Sequence, residues 1–188
     1  MSALTILIIR HAEKPGEAWP GPGLTADGAA DDKSLVIRGW QRAGAWTALL
    51  AAGLGGADFP PPAVVYAADP DAAGEDVSKR PFETITPLAA RLGMTPDTTY
   101  GVGAETQLAA ELAGLSGVAL VCWEHKAICR ALLPALAAGQ SLPGAPAKWD
   151  GTRFDVAFRL DRAAPGAPWG FRQLFPRLMS DDSDTPMG

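Results

Sequence analysis

Leu4-Thr5-Ile6-Leu7-Ile8-Ile9-Arg10-His11 is an apolar run that ends in a cation and an imidazole, and Val118-Ala119-Leu120-Val121-Cys122-Trp123-Glu124-His125 has the same plan far downstream. His11 and His125 are the chain's two histidines. Short unbroken runs of Ile, Leu and Val, bounded by polar or glycine residues, are the signature of strands buried on both faces of a parallel sheet. Ligands of open α/β sheets bind beyond the carboxyl ends of such strands. Both imidazoles therefore fall at the edge where chemistry is usually done.

Between and after the two runs, helical and extended patterns alternate. Residues from Glu13 to about Ser34 are polar and rich in Pro and Gly, with no period, which predicts a long loop; loops of that length inside a domain usually serve a site. Trp40, Ala43, Trp46, Leu49 and Leu50 share one face of a predicted helix over 39–52. Gly53 to Pro62 is a turn region and 63–67 a short strand. A second polar loop covers 68–79. A helix follows from Arg80 to Arg91, with Pro81 in its first turn and Gly93 just past its end, and Pro87 marks a kink or a boundary within it. Helices are predicted over 105–113 and 126–137, and the alternation of Phe154, Val156 and Phe158 predicts a strand over 153–160. Strand and helix in turn argue for an α/β fold with a mostly parallel central sheet and helices on both faces. The 188 residues, 47% hydrophobic, suit a single domain over 1–179, and the acidic stretch 180–188 reads as a solvated, loosely ordered tail.

A net charge of −5, with no cluster of Lys and Arg longer than a pair, lacks the basic footprint of a nucleic-acid binder. The six-residue apolar stretch near the start is too short for a membrane span and lacks the basic region of a secretory signal, so a soluble, cytoplasmic protein is expected. Cys122 and Cys129 have neither zinc-ligand spacing nor disulfide geometry and read as buried free thiols, with a helix-activated Cys129 as the lesser alternative. Trp123 and Tyr100 read as packing residues, with stacking on a substrate ring as the alternative. Sheet-edge and helix-face dimers fit the pattern equally.

Arg10, His11, Arg80 at a helix start, and His125 could converge on one pocket, with Lys14 adding a further charge. Guanidinium forks match phosphate oxygens, and a helix amino end adds backbone donors. An imidazole nitrogen in line with a leaving oxygen is a competent nucleophile for phosphoryl transfer. Each element by itself usually has a structural explanation; their conjunction points to a phosphoryl ligand.

Arg10-His11-Ala12-Glu13-Lys14-Pro15 closing a strand, Arg80-Pro81-Phe82-Glu83-Thr84 opening a helix, the segment Leu35 to Ala43, and a late strand ending in His125 together resemble the histidine phosphatase superfamily, also called phosphoglycerate-mutase-like. The resemblance runs from Leu4 to about Leu136. It implies a three-layer α/β/α sandwich, a phosphohistidine intermediate on His11, Arg10, Lys14 and Arg80 binding the substrate, His125 completing the phosphate pocket, and no metal or other cofactor. Ala12 replaces the usual Gly of the RHG motif, Lys14 stands where related phosphatases often have Arg or Ser, and Lys126 replaces the Asp that follows the second histidine in the acid phosphatase and phytase branch. Glu105 is the first choice as proton donor to the leaving group, with Glu13 and Glu124 as alternatives; Glu124, next to His125, is expected to turn away from it unless the strand has already ended. The implied partner is a small phosphorylated molecule or a phosphohistidine protein. Alternatives are a mutase, which chain length disfavours, and a phosphate-binding module without turnover. The two long loops would set specificity.

Overall fold

The computed structural model describes residues 3–74 and 77–188. Strands β1 (Leu4–Arg10), β2 (Val64–Ala67), β3 (Gly117–Trp123), β4 (Ala157–Arg162) and β5 (Gly170–Leu174) form one sheet in the order β2-β3-β1-β4-β5. β1 and β3 run parallel in register from Leu4 opposite Gly117 to Arg10 opposite Trp123, and β2 continues the parallel set beside β3. β4 and β5 are antiparallel to their neighbours. The sheet is thus mixed, and the mostly parallel expectation holds for its first three strands.

Alternation along β1 divides the core. Leu4, Ile6 and Ile8 face α3 (Glu105–Ala113) and the helical segment after β3, whereas Leu7 and Ile9 face α1 (Ile37–Ala51) and α2 (Arg80–Leu92), where Trp46, Leu50, Ile85 and Leu88 are buried. Three layers result because the central strand is apolar on both faces. Each of these side chains is nearly or wholly inaccessible, so truncating one to Ala costs about 2–5 kcal/mol.

α2 runs through Pro87 to Gly93, whose left-handed φ of 70° suits a residue without Cβ. Beyond β3 the chain is helical throughout: α4 (His125–Ala127), a π turn (Ile128–Leu132) and α5 (Leu133–Ala137) follow directly on one another. The π turn falls where Pro134, lacking an N–H, would disturb an unbroken α ladder.

Two expectations are corrected. The strand predicted over 153–160 spans Ala157–Arg162, pairing from Ile9 opposite Ala157 to Leu4 opposite Arg162, while the carbonyls of Gly151 and Arg153 before it accept from the Arg10 side chain. The acidic tail is not solvated throughout: the Asp182 side chain, 3% exposed, accepts hydrogen bonds from buried Arg42, and Met187 is buried. A buried guanidinium needs an anion, and Asp182 supplies it. Among the described residues, no helix is long and apolar enough to cross a membrane.

Candidate active site

Parallel register brings the ends of β1 and β3 side by side, and the His11 N–H extends the ladder to the Trp123 carbonyl (3.2 Å). The two imidazoles consequently meet edge to face, with ring centroids 6.3 Å apart. They border an open cleft of about 650 Å³ whose walls include Lys14, Asp32, Asp69, Ser78, Arg80, Glu124 and Lys126.

His11 is buried, and its Nδ1 lies 2.7 Å from the Ala12 carbonyl. A carbonyl oxygen only accepts, so Nδ1 carries the hydrogen and Nε2 keeps its lone pair. Burial, and next the neighbouring positive charge of Arg10, hold the ring well below its ordinary value, in the neutral form that a nucleophile requires. The Ala12 N–H donates to Thr84 Oγ1 (2.9 Å), which in turn donates to the Arg80 carbonyl (2.7 Å), so the segment that carries His11 is fastened to the first turn of α2.

Arg10 is buried behind the pair and is not among the cleft-lining residues. Its Nη1 donates to the carbonyls of Gly151 (2.9 Å) and Arg153 (3.0 Å), and the guanidinium stacks 3.8 Å over the Phe154 ring. Burial lowers Arg10 to about 10, opposed chiefly by Glu124 and Glu13, and it stays cationic at neutral pH. Residues 151–154, which only partly overlap the predicted strand, are thus the seat of this cation.

His125 Nδ1 lies 2.8 Å from Glu124 Oε1, and the longer 3.5 Å contact to Arg10 Nη2 sets that cation at the ring edge. Glu124 caps α4, its Oε2 accepting the Ala127 N–H at 2.7 Å. Burial alone would raise the Glu124 carboxyl, but hydrogen bonds from His125 and the backbone of residues 126 and 127 bring it down to about 2. It is ionised, and so carries no proton to give.

Arg80 spends part of its fork on the protein: Nε donates to the Ser34 carbonyl (3.2 Å), Nη1 to Ser78 Oγ (3.3 Å), and Nη2 to the Asp32 carbonyl. Glu83, one turn on, accepts from Ser34 Oγ (2.6 Å) and the Leu35 N–H (2.9 Å). The end of the long first loop is thereby tied to α2, and the loop forms part of the cleft wall as expected.

His11, Lys14, Arg80 and His125 come together in the cleft; Glu105 and Glu13 do not. Glu105, expected as proton donor, opens α3 and accepts from the Trp123 indole and the Gly103 N–H, both at 2.9 Å, which occupies its carboxylate inside the domain. Trp123, wholly buried, does not face the cleft either. Glu13 is buried against α1, where its Oε1 is 2.9 Å from both Nε and Nη2 of Arg42. Cys122 and Cys129 are free, and burial pushes both thiols up, Cys129 to about 11, so neither is activated. Sequence reasoning missed Asp69, in the loop after β2. The available signal was its position just past the end of β2, a strand of the same parallel set as those that carry the histidines.

The fold is the phosphoglycerate-mutase-like three-layer sandwich that the motifs implied. It is similar to that of a mycobacterial glucosyl-3-phosphoglycerate phosphatase, with a TM-score of 0.53, over 92% of this chain and 98% of the other at 15% sequence identity. A further solved structure, mycobacterial hydrolase 2, aligns over 92% of this chain and 90% of its own at 15% identity and a TM-score of 0.49. No protein-family model and no curated protein matches the sequence.

Proposed function

We propose that the protein is a phosphatase that hydrolyses a small phosphomonoester or a phosphohistidine through a covalent intermediate on His11. The observation that carries this reading is the neutral His11, its Nδ1 hydrogen engaged by the Ala12 carbonyl and its ring on the wall of a cationic cleft. In the first step the Nε2 lone pair forms the N–P bond as the bond from phosphorus to the leaving group breaks. Arg80, Lys14 and His125 face the phosphoryl oxygens, and Arg10 lends its charge from behind the His125 ring. In the second step water attacks phosphorus, the N–P bond breaks with its electrons returning to Nε2, and inorganic phosphate leaves.

An alkoxide leaving group needs a proton. Glu105 and Glu13 lie away from the cleft and Glu124 is ionised, which leaves Asp32 and Asp69 on the cleft wall; we assign the donor role to Asp69, which follows the carboxyl end of β2 beside β3. Asp69→Asn then slows an alkyl phosphate far more than an aryl phosphate whose leaving group departs unprotonated. Equal slowing of both removes Asp69 from that role.

The central test is release of phosphate from aryl phosphates, sugar phosphates, nucleotides and phosphohistidine, with and without EDTA, by the wild type and His11→Ala. EDTA-resistant release that disappears in the variant supports the proposal. Equal release by both proteins overturns it.

A further inference from the structure

We propose that Asp182 is a positioning residue for the nucleophile, acting through Arg42 and Glu13 to fix the Ala12 carbonyl that holds the His11 ring. The proposal rests on the phosphatase reading for what the positioning accomplishes.

The chain of contacts is continuous and buried. The Ala12 carbonyl and the Glu13 nitrogen belong to one rigid peptide plane, so anchoring Glu13 sets the direction of that carbonyl. Glu13 is anchored twice. Its own carbonyl accepts the Val36 N–H at 3.2 Å, and Gly39 packs so closely that a Cβ there would lie 2.6 Å from the same oxygen. Its carboxylate, wholly inaccessible, takes the side edge of the Arg42 guanidinium, Nε and Nη2 each at 2.9 Å. The end edge of that guanidinium grips Asp182 through two bonds, Nη1 to Oδ2 at 2.9 Å and Nη2 to Oδ1 at 2.8 Å. Arg42 and Asp182 side chains are each 3% exposed, which separates this pair from the exposed ion pairs that contribute little. Removing one partner of such a buried pair frees the other to move toward water.

The same segment braces the other half of the motif. The Ser183 N–H donates to Asp155 Oδ2 at 2.7 Å, and the Arg153 side chain donates to the carbonyls of Ser183 (3.2 Å) and Thr185 (2.8 Å). The backbone carbonyl of that same Arg153 accepts from Arg10. Residues 182–185 therefore buttress Arg10 on one side and His11 on the other, from outside the cleft.

The test compares Asp182→Ala and Asp182→Asn with the wild type and with Asp184→Ala, which removes the same charge at an exposed position. The expected result is that both Asp182 variants fold, lose about tenfold to a hundredfold in kcat on an aryl phosphate, and change little in KM, while Asp184→Ala behaves as wild type. With two histidines in the chain, a proton–nitrogen correlation spectrum of the imidazoles reads His11 directly. The Nδ1–H form of the wild type should give way to a mixture of tautomers in the Asp182 variants. Folded variants with wild-type kcat and an undisturbed His11 spectrum overturn the proposal. Failure of both variants to fold overturns it as well, since Asp182 would then hold the domain and not the loop. If the wild type turns over no phosphate ester or phosphohistidine, the phosphatase reading fails while the spectrum still decides the role of Asp182.

Discussion

The ends of β1 and β3 are two versions of one arrangement with opposite outcomes. Each strand runs parallel to the other, residue for residue; His11 follows β1 directly, whereas Glu124 intervenes between β3 and His125. The His11 Nδ1 meets a backbone carbonyl, and the ring is buried and neutral. The His125 Nδ1 meets the Glu124 carboxylate, and the ring is part-exposed at the start of a helix. A carbonyl partner leaves the His11 Nε2 with its lone pair, while a carboxylate partner places an anion beside the His125 ring. His11 directly follows β1 whereas His125 lies one residue further from its strand, in α4, so the two rings meet different Nδ1 partners and, on the phosphatase reading, take different roles.

That contrast breaks first at the nucleophile. His11→Ala should lower kcat/KM by at least about 10⁴-fold and abolish a trapped phosphoenzyme, whereas His125→Ala should cost on the order of 10²–10³-fold and leave the phosphoenzyme detectable. Equal losses would erase the division of roles. A smaller effect is expected from Glu124→Gln, which keeps an oxygen for the Ala127 N–H but removes the anion beside His125. A loss of about tenfold to a hundredfold in kcat/KM corresponds to one hydrogen bond to a charged group, and an unchanged rate would make Glu124 a cap and nothing more.

The pH dependence sharpens the same comparison. Because burial and Arg10 hold His11 below its ordinary 6.5, the nucleophile stays neutral as the pH falls through that value, and kcat/KM should show no loss there from His11. Stability runs the other way. The unfolded chain takes up a proton on His11 below about 6.5 and the folded chain does not, so folding stability should erode as pH falls below that point, less steeply in His11→Ala. Urea unfolding at several pH values measures the difference. The smallest kinetic effect belongs to Glu105→Ala, with turnover within about twofold of wild type and stability lower by about 1–3 kcal/mol, since the Trp123 indole and the Gly103 N–H lose their acceptor. A collapse of turnover in that folded variant would return Glu105 to the chemistry.

What the residues disclosed divides along the same line between local pattern and distant pairing. β1, β3 and the helices at 37–51, 80–92 and 105–113 were legible because apolar spacing and end signals such as Pro81 and Gly93 are local. The cationic cleft was legible because parallel strands deliver their carboxyl ends to one edge. β5 was missed because its five residues alternate between exposure and partial burial with little apolar signal. The seat of Arg10 in the carbonyls of Gly151 and Arg153 was hidden because it joins residues more than 140 positions apart. Glu105 misled for a related reason: its place between Arg80 and His125 suggested the cleft, but the first turn of α3 aims it at Trp123.

The in-register pairing of β1 and β3 also bears on how the molecule could change. The His11 backbone is held at the end of β3 by the bond from its N–H to the Trp123 carbonyl, which belongs to the sheet and not to either rim loop. The rim segments around 13–34, 68–74 and 77–79 are therefore exchangeable parts on a rigid chassis. New rims grafted between the same strands could alter what enters the cleft while His11, held by that backbone bond, stays where it is.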